Sequence, residues 1–184
     1  QANVTVPFSN LFEEENRGFI RLGRFTMDQG SRRFVARNRF RNTINSFAGV
    51  QARLENNRTS MELFYTRPTK RRVSGDWIDN DPRLDKQSKD IFWGAYITTK
   101  FTEKDSLQLY LLGADEKRDR PANQRFEVLT TGARLFRNPI PKAWHYDLES
   151  VYQFGDAPAL DEVSQQIDHR AKYFHLSFGY SFDA

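Results

Sequence analysis

The sequence predicts an all-β protein, an antiparallel transmembrane β-barrel, and three observations carry that prediction. Apolar and polar residues alternate with a period of two through most of the chain. The alternating segments run about nine to twelve residues, longer than the five or six of an ordinary globular strand and close to the nine to eleven of a tilted strand crossing a bilayer. The connections between them alternate short and long, the rhythm of a barrel with tight turns at one rim and loops at the other.

Taken in order, the first well-marked segment is 17–25, whose facing is ambiguous. Arg21 and Gly23 share a face with Phe19 and Phe25, whereas Arg24 shares one with Ile20 and Leu22. A bulge near Gly23 would turn both arginines to the same side. Segment 46–55 sets Ala48, Val50, Ala52 and Leu54 opposite Gln51, Arg53 and Glu55, and Asn56-Asn57 signals a tight turn. The return strand 59–66 opposes Met61, Leu63 and Tyr65 to Ser60, Glu62, Phe64 and Thr66. Segments 90–100 and 106–113 present Ile91, Trp93, Ala95, Ile97 and then Leu107, Leu109, Leu111 on one face. Segment 126–137 sets Leu129, Ala133 and Leu135 against Thr130, Gly132 and Arg134. The alternation is cleanest at 144–154, where Trp144, Tyr146, Leu148, Tyr152 and Phe154 oppose His145, Asp147, Glu149 and Gln153. The last segment, 172–182, opposes Phe174, Leu176, Phe178, Tyr180 and Phe182 to His175, Ser177 and Gly179. A further strand over 3–12 brings the expected number to eight or nine, and helical periodicity of any length is missing.

The short connections are Asn56-Asn57, Thr102–Asp105 and Asn138–Lys142; the long ones are 67–89, 114–124 and 155–170. Aromatic residues near segment ends, such as Trp93, Trp144, Tyr152 and Phe182, suit the two girdles of a membrane barrel. A soluble sandwich could share the period of two with its apolar faces turned inward. Its polar face would be rich in Lys and Thr, whereas here that face mixes Arg, Glu, Asp, His and Gln with glycine, as a wet lumen would.

Apolar residues make up 38 % of the 184 and mean hydropathy is −0.75, which excludes a helical membrane protein without touching a barrel. No cysteine is present, so disulfides and thiolate metal sites are excluded. The chain begins at Gln1 without a signal peptide, as a processed or excerpted chain would. The net charge of +4 averages two unlike regions. Residues 17–72 carry 14 basic and 3 acidic side chains, and 73–184 carry 14 basic and 18 acidic ones. Such asymmetry marks a concentrated positive field and an anionic partner.

In a barrel the polar faces converge on one channel, where low-dielectric walls focus the summed field. Arg17, Arg21, Arg24, Arg32, Arg33, Arg37, Arg39, Arg41, Arg53 and Arg134 are the candidate pore-lining cations. Arginine rings pass anions, and the planar guanidinium matches carboxylates bidentately, so the expected cargo is a carboxylate-bearing anion. Conduction needs release as well as capture, and Glu55, Glu62, Asp147 and Glu149 are the candidate lumen acids that moderate the grip.

The run 19–54 resembles the alginate export family of outer-membrane β-barrels. The residues carrying the likeness are Leu22-Gly23-Arg24, then Gly30-Ser31-Arg32-Arg33, then Asn42, Asn45 and Phe47-Ala48-Gly49, with Ala48 where an Asp is expected; the end 175–182 looks like a late Gly-Tyr strand of the same family. The resemblance implies a bacterial outer-membrane porin or exporter whose arginine-lined pore passes anionic sugars. It also implies a larger barrel of about eighteen strands, of which residues 1–184 would be a single domain forming about half. The partners implied are membrane lipid and lipopolysaccharide, an anionic solute or polysaccharide such as alginate, and periplasmic export machinery.

Other chemistry is poorly represented. His145, His169 and His175 lack metal-ligand spacing, and no nucleophile elbow, P-loop or dinucleotide fingerprint occurs, so an enzyme is not expected. Asp76, Asp79, Asp81 and Asp85 could gather calcium, yet the Gly and closing Glu of an EF-hand are missing and a solvated loop without cofactor is the plainer reading. The rival from another class is a soluble all-β protein binding nucleic acid or another polyanion through its Arg and aromatic side chains. It leaves the loop rhythm unexplained, so nucleic acid is not the expected partner.

Overall fold

The computed structural model describes residues 2–10, 15–37, 45–71, 85–87, 89–116, 126–158 and 166–182. Ten strands form one antiparallel sheet: β1 (Asn3–Ser9), β2 (Arg17–Phe25), β3 (Phe47–Glu55), β4 (Thr59–Arg71), β5 (Asp85–Gln87), β6 (Ile91–Lys100), β7 (Asp105–Glu116), β8 (Phe126–Arg137), β9 (Ala143–Pro158) and β10 (Gln166–Ser181). Their order is β1-β2-β3-β4-β6-β7-β8-β9-β10, each strand beside its sequence neighbour, while the short β5 pairs with the far end of β4. The up-and-down order is that of a barrel wall, and the sheet is open, with β1 and β10 at its edges.

Four strands outrun the sequence expectation: β4 ends at Arg71, β7 at Glu116 and β9 at Pro158, and β10 begins at Gln166. Pro68 pairs with Phe47 inside β4, and Gly155 pairs with both Val128 and His169 inside β9. Residues that signal turns therefore sit within strands, and the long connections are shorter than expected. The pairing also runs through Gly23 without an inserted residue, so no bulge forms there. Gly23 meets the local geometry with φ of +118°, a value that side-chain-bearing residues avoid. In this register Arg21 lies opposite Gln51 and Thr5, and Arg24 lies opposite Ala48 on the parity of Ile20 and Leu22.

The two faces of the sheet invert the soluble pattern. The face bearing Gln51, Glu62, Thr66, Gln108, Thr130 and Glu149 is buried, together with the aromatic rings of Phe64, Tyr96 and Tyr110. The opposite face carries Leu63, Tyr65, Leu109, Phe174, Leu176 and Phe178, and Leu176 is 68 % exposed. Monomeric soluble proteins seldom leave apolar patches larger than a few hundred Å² in contact with water. Here the apolar face runs across the sheet, as a bilayer-facing surface requires.

Aromatic side chains frame that face. Trp144, Tyr180 and Phe182 pack edge to face toward the short-turn rim, with centroids 5.3 and 5.0 Å apart, and Tyr152 stacks on Phe154 toward the other rim at 5.5 Å. Trp144 and Phe154 are ten residues apart on β9, about 34 Å along the strand. At the usual barrel tilt of about 40° this is roughly 26 Å in height, the thickness of the apolar band of an outer-membrane barrel. No helix of the described residues is long and apolar enough to cross a membrane.

Candidate functional site

The buried face is covered by the chain itself. Residues 26–37, leaving β2, fold back over the inner face as a compact strap. Gln29 and Val35 form an isolated antiparallel bridge, and the Arg32 amide donates to the Gln29 carbonyl at 2.8 Å. The tight reversal needs φ of +56° at Gly30 and +64° at Arg32. Asp28 closes the loop at its base: Oδ1 accepts the Arg37 amide at 2.6 Å, and Oδ2 accepts Arg37 Nε at 2.9 Å. Arg32 Nε also lies 3.4 Å from Asp28. Burial opposes the charge on Asp28, yet these Arg37 hydrogen bonds and the charges of Arg32 and Arg37 hold its pKa below the usual carboxylate value.

Apolar pegs seat the strap. Met27 and Val35 are buried in one cluster with Phe25, Phe47, Phe64, Tyr96, Tyr110, Leu112 and Val151, and Phe34 lies 6.0 Å from the Tyr110 ring. Polar latches then fix its position. On the β4 side, Gln29 Nε2 and Gln51 Nε2 both donate to Glu62 Oε1. On the β9 side, Ser31 Oγ and Tyr110 Oη donate to Glu149 Oε1 at 3.2 and 2.8 Å. Arg33 Nε sits 3.2 Å from Glu149 Oε2 but directs its hydrogen at the Tyr173 hydroxyl, 3.1 Å away, so the carboxylate receives its charge without a hydrogen bond. Gly132 makes the Tyr110 contact possible: a Cβ there would stand 2.2 Å from the tyrosine ring, which crosses β8 to reach Glu149 on β9.

The strap thus touches β4 and β9 through residues only two apart. Two residues span at most about 7 Å, whereas β4 and β9 are separated by four strand spacings, about 19 Å within a flat sheet. Side-chain reach and inward curl of the wall close the difference. The concave side is therefore the polar face, and its polar groups Glu62 and Glu149 point at the strap.

The arginines of the inner face and strap do not stand as bare charges. Glu55 accepts Arg17 Nε at 2.8 Å and Arg53 Nε at 3.0 Å, and Asp28 is shared by Arg32 and Arg37. Each of these two carboxylates is shared by two guanidiniums, and Arg53 also comes within 4.0 Å of Glu62. Arg134 forms a two-pronged pair with Asp147, at 2.7 and 2.9 Å, and its guanidinium lies 4.3 Å above Phe136. Arg21 binds neutral partners, Thr5 Oγ1 and Gln51 Oε1, both at 3.2 Å, and lies 4.9 Å over Phe19.

Sequence reasoning placed Arg21, Arg33, Arg37, Arg53, Glu62, Arg134, Asp147 and Glu149 in this region, and the structure brings them to the inner face or the strap. Arg24 stands apart on the other parity, with its Nε donating to Ser46 Oγ at 3.0 Å. Arg39 and Arg41 lie outside the described residues, as do Asp76, Asp79 and Asp81. All four expected acids lie near arginines, Glu55 beside Arg17 and Arg53, Asp147 beside Arg134, Glu62 beside Arg53 and Glu149 beside Arg33, and Glu62 and Glu149 also hold the strap. The strap itself, and the roles of Tyr110 and Tyr173 in holding it, were missed. Tyr110 shares the polar parity of Gln108, which was the available signal.

Comparison with known proteins gives one match. The family model described as alginate export matches residues 1–184, the whole chain. No curated protein and no solved structure matches. With its end-to-end family match, its single antiparallel sheet and its arginine-bearing inner face, the chain belongs to the alginate export family.

Proposed function

We propose that this chain forms part of the wall of a bacterial outer-membrane channel that passes anionic polysaccharide, with alginate the first candidate, and that it acts as a conduit without catalysing a reaction. The open edges β1 and β10 are where further strands would complete the barrel. The observation that carries the reading is the pairing of two arginines to one carboxylate at Asp28 and at Glu55, on a face whose reverse side is apolar and exposed.

Such a site holds a polyanion weakly enough to release it. A carboxylate of the passing chain exchanges with Glu55 or Asp28 for one guanidinium while the other stays paired, so capture and release cost similar free energies. Arg21, Arg33, Arg53 and Arg134 give successive contacts, and Arg37 and Arg32 present theirs from the strap. A soluble protein gripping nucleic acid would turn its arginines to solvent and its apolar face inward. The observed inversion favours the channel.

The test is the single-channel reversal potential of the full-length protein in planar bilayers across a salt gradient. Wild type should prefer anions, and the triple variant Arg21→Glu/Arg33→Glu/Arg53→Glu should lose or reverse that preference. A wild-type channel without anion preference, or a protein that stays soluble without detergent and forms no channel, would overturn the reading.

A further inference from the structure

Below the strap, on the side of the short turns, the inner face holds a recess of about 370 Å³. Its size lies at the lower end of small-molecule sites, roughly 300–1,000 Å³. The wall residues lining it come from the short-turn halves of β3, β4, β6, β7 and β8, and Gln29 and Gly30 of the strap cover it.

Its chemistry differs from that of a plain anion site. The lining itself holds two arginines, Arg53 and Arg134, and two acids, Asp28 and Glu62, so a bare carboxylate meets acids as well as cations there. Donors, acceptors and hydroxyls that do both are interleaved there, with Ser60 and Thr98 between the charged groups and Tyr96 and Phe136 supplying apolar surface. Arg134 is held rigid by the Asp147 fork and the Phe136 ring, so its remaining Nη1 arm is presented at low entropic cost.

Gln108 provides the independent sign of a missing partner. It is 7 % exposed, its Nε2 donates to Thr98 Oγ1 at 2.8 Å, and its Oε1 accepts no hydrogen bond. A buried acceptor without a donor costs free energy, about 1–3 kcal/mol in protein interiors. Gly30 lies directly over that oxygen, where any Cβ would come within 2.7 Å. The strap thus closes on Gln108 without satisfying it. A hydroxyl group in the recess supplies the donor after a small rotation of the amide.

We propose that this recess is a subsite for one sugar ring, read through its hydroxyl groups rather than its charge, and therefore open to neutral as well as acidic pyranoses. Sugar hydroxyls both donate and accept, which suits a wall of mixed donors and acceptors, and ring C–H faces suit Tyr96 and Phe136. The proposal rests on the channel reading, because the ring arrives as a unit of a passing chain. Charge brings the chain to the lumen, and the recess checks that it is a saccharide.

The experiment is block of single-channel current by maltotriose, a neutral trisaccharide, at fixed salt, in the full-length protein. Wild type should show concentration-dependent block, with faster onset from the short-turn side. Gln108→Met, which keeps the shape and loses the acceptor, should weaken block about tenfold, the worth of one buried hydrogen bond. Thr98→Val should weaken it similarly. Both variants should keep the unblocked conductance and the reversal potential of wild type, which shows that they fold. Absence of maltotriose block in wild type, or block of both variants as strong as that of wild type, would overturn the proposal. A channel that is blocked through Gln108 yet lacks anion preference would sink the charge reading and leave the subsite standing; anion preference without block would do the reverse.

Discussion

Replacing Glu149 tests whether the strap is held by its polar latches. The carboxylate is 3 % exposed and receives the strap through Ser31 Oγ at 3.2 Å and the Arg33 charge at 3.2 Å; its bond from Tyr110 lies within the wall. Glu149→Ala removes the two strap contacts. A hydrogen bond to a charged group is worth about 1.5 kcal/mol at the lower end, suited to the long Ser31 contact. The Arg33 side chain is 25 % exposed, so its ion pair adds only about 0.5 kcal/mol after solvent screening. The strap loses about 2 kcal/mol of anchoring, a shift of roughly 30-fold in the ratio of displaced to seated strap.

The chain has no cysteine, which makes a single introduced thiol a clean reporter. Val35, a buried peg of the strap itself, is 1 % exposed, so Val35→Cys reacts with maleimide only when the strap lifts. The labelling rate of Val35→Cys/Glu149→Ala should exceed that of Val35→Cys by about 30-fold. Glu149→Gln keeps acceptors for Tyr110 and Ser31 and loses only the charge, so its increase should be about threefold or less. Equal rates in Val35→Cys with and without Glu149 would refute the latch and leave the apolar pegs Met27 and Val35 as the whole anchorage. An effect of Glu149→Gln as large as that of Glu149→Ala would refute the division of energy just made.

Two further expectations follow from the faces and from Asp28. Leu176→Arg, on the outward face of β10, should cost about 2–4 kcal/mol in urea-titrated folding into lipid vesicles, whereas its neighbour Ser177→Arg, opposite Asp147 on the inner face, should change stability by less than about 1 kcal/mol; equal costs would show that the apolar face does not meet lipid. Because the folded-state pKa of Asp28 lies below its ordinary 3.8, its clamp is fully present above that value and is lost as the pH falls through the lowered folded value. Amide hydrogen exchange in 28–37, corrected for intrinsic rate, should stay flat from neutral pH to about pH 5 and rise below about pH 4, and Asp28→Asn should abolish that rise.

The wall was legible because its signal is local. Along 144–154 the apolar residues Trp144, Tyr146, Leu148, Tyr152 and Phe154 alternate with one break at Ser150, and the structure pairs that segment with β8 and β10 so that the two sets separate as expected. The strand ends were less legible, because Pro68 and Gly155 speak for turns by their own conformational preferences and are overruled by pairing, Pro68 with Phe47 on one side and Gly155 with Val128 and His169 on both. The three-residue β5 had no pattern to show. The strap was illegible for a different reason. Its anchors are far away in sequence, with Ser31 bound to Glu149 and Arg33 bound to Tyr173, and no periodicity encodes a partner over a hundred residues off. Its apolar pegs Met27, Phe34 and Val35 fall at no regular spacing.

That difference explains the concentration of arginines between 17 and 41. Read as strand, the run puts more charge on a sheet than a sheet can use; among the described residues Arg17, Arg21 and Arg24 belong to a strand, and Arg32, Arg33 and Arg37 ride on the strap. A wall residue holds its charge at the face of the sheet, whereas a strap residue carries its charge out over that face. The strap must then be neutralised to stay down, and Asp28 and Glu149 do this while leaving Asp28 shared between two guanidiniums. The same ion pairs that seat the strap are therefore the ones a polyanion would contest. On the proposed channel reading, a solute carboxylate that took Arg33 from Glu149 would loosen the strap as it bound, coupling recognition of the charge to the seating of the strap.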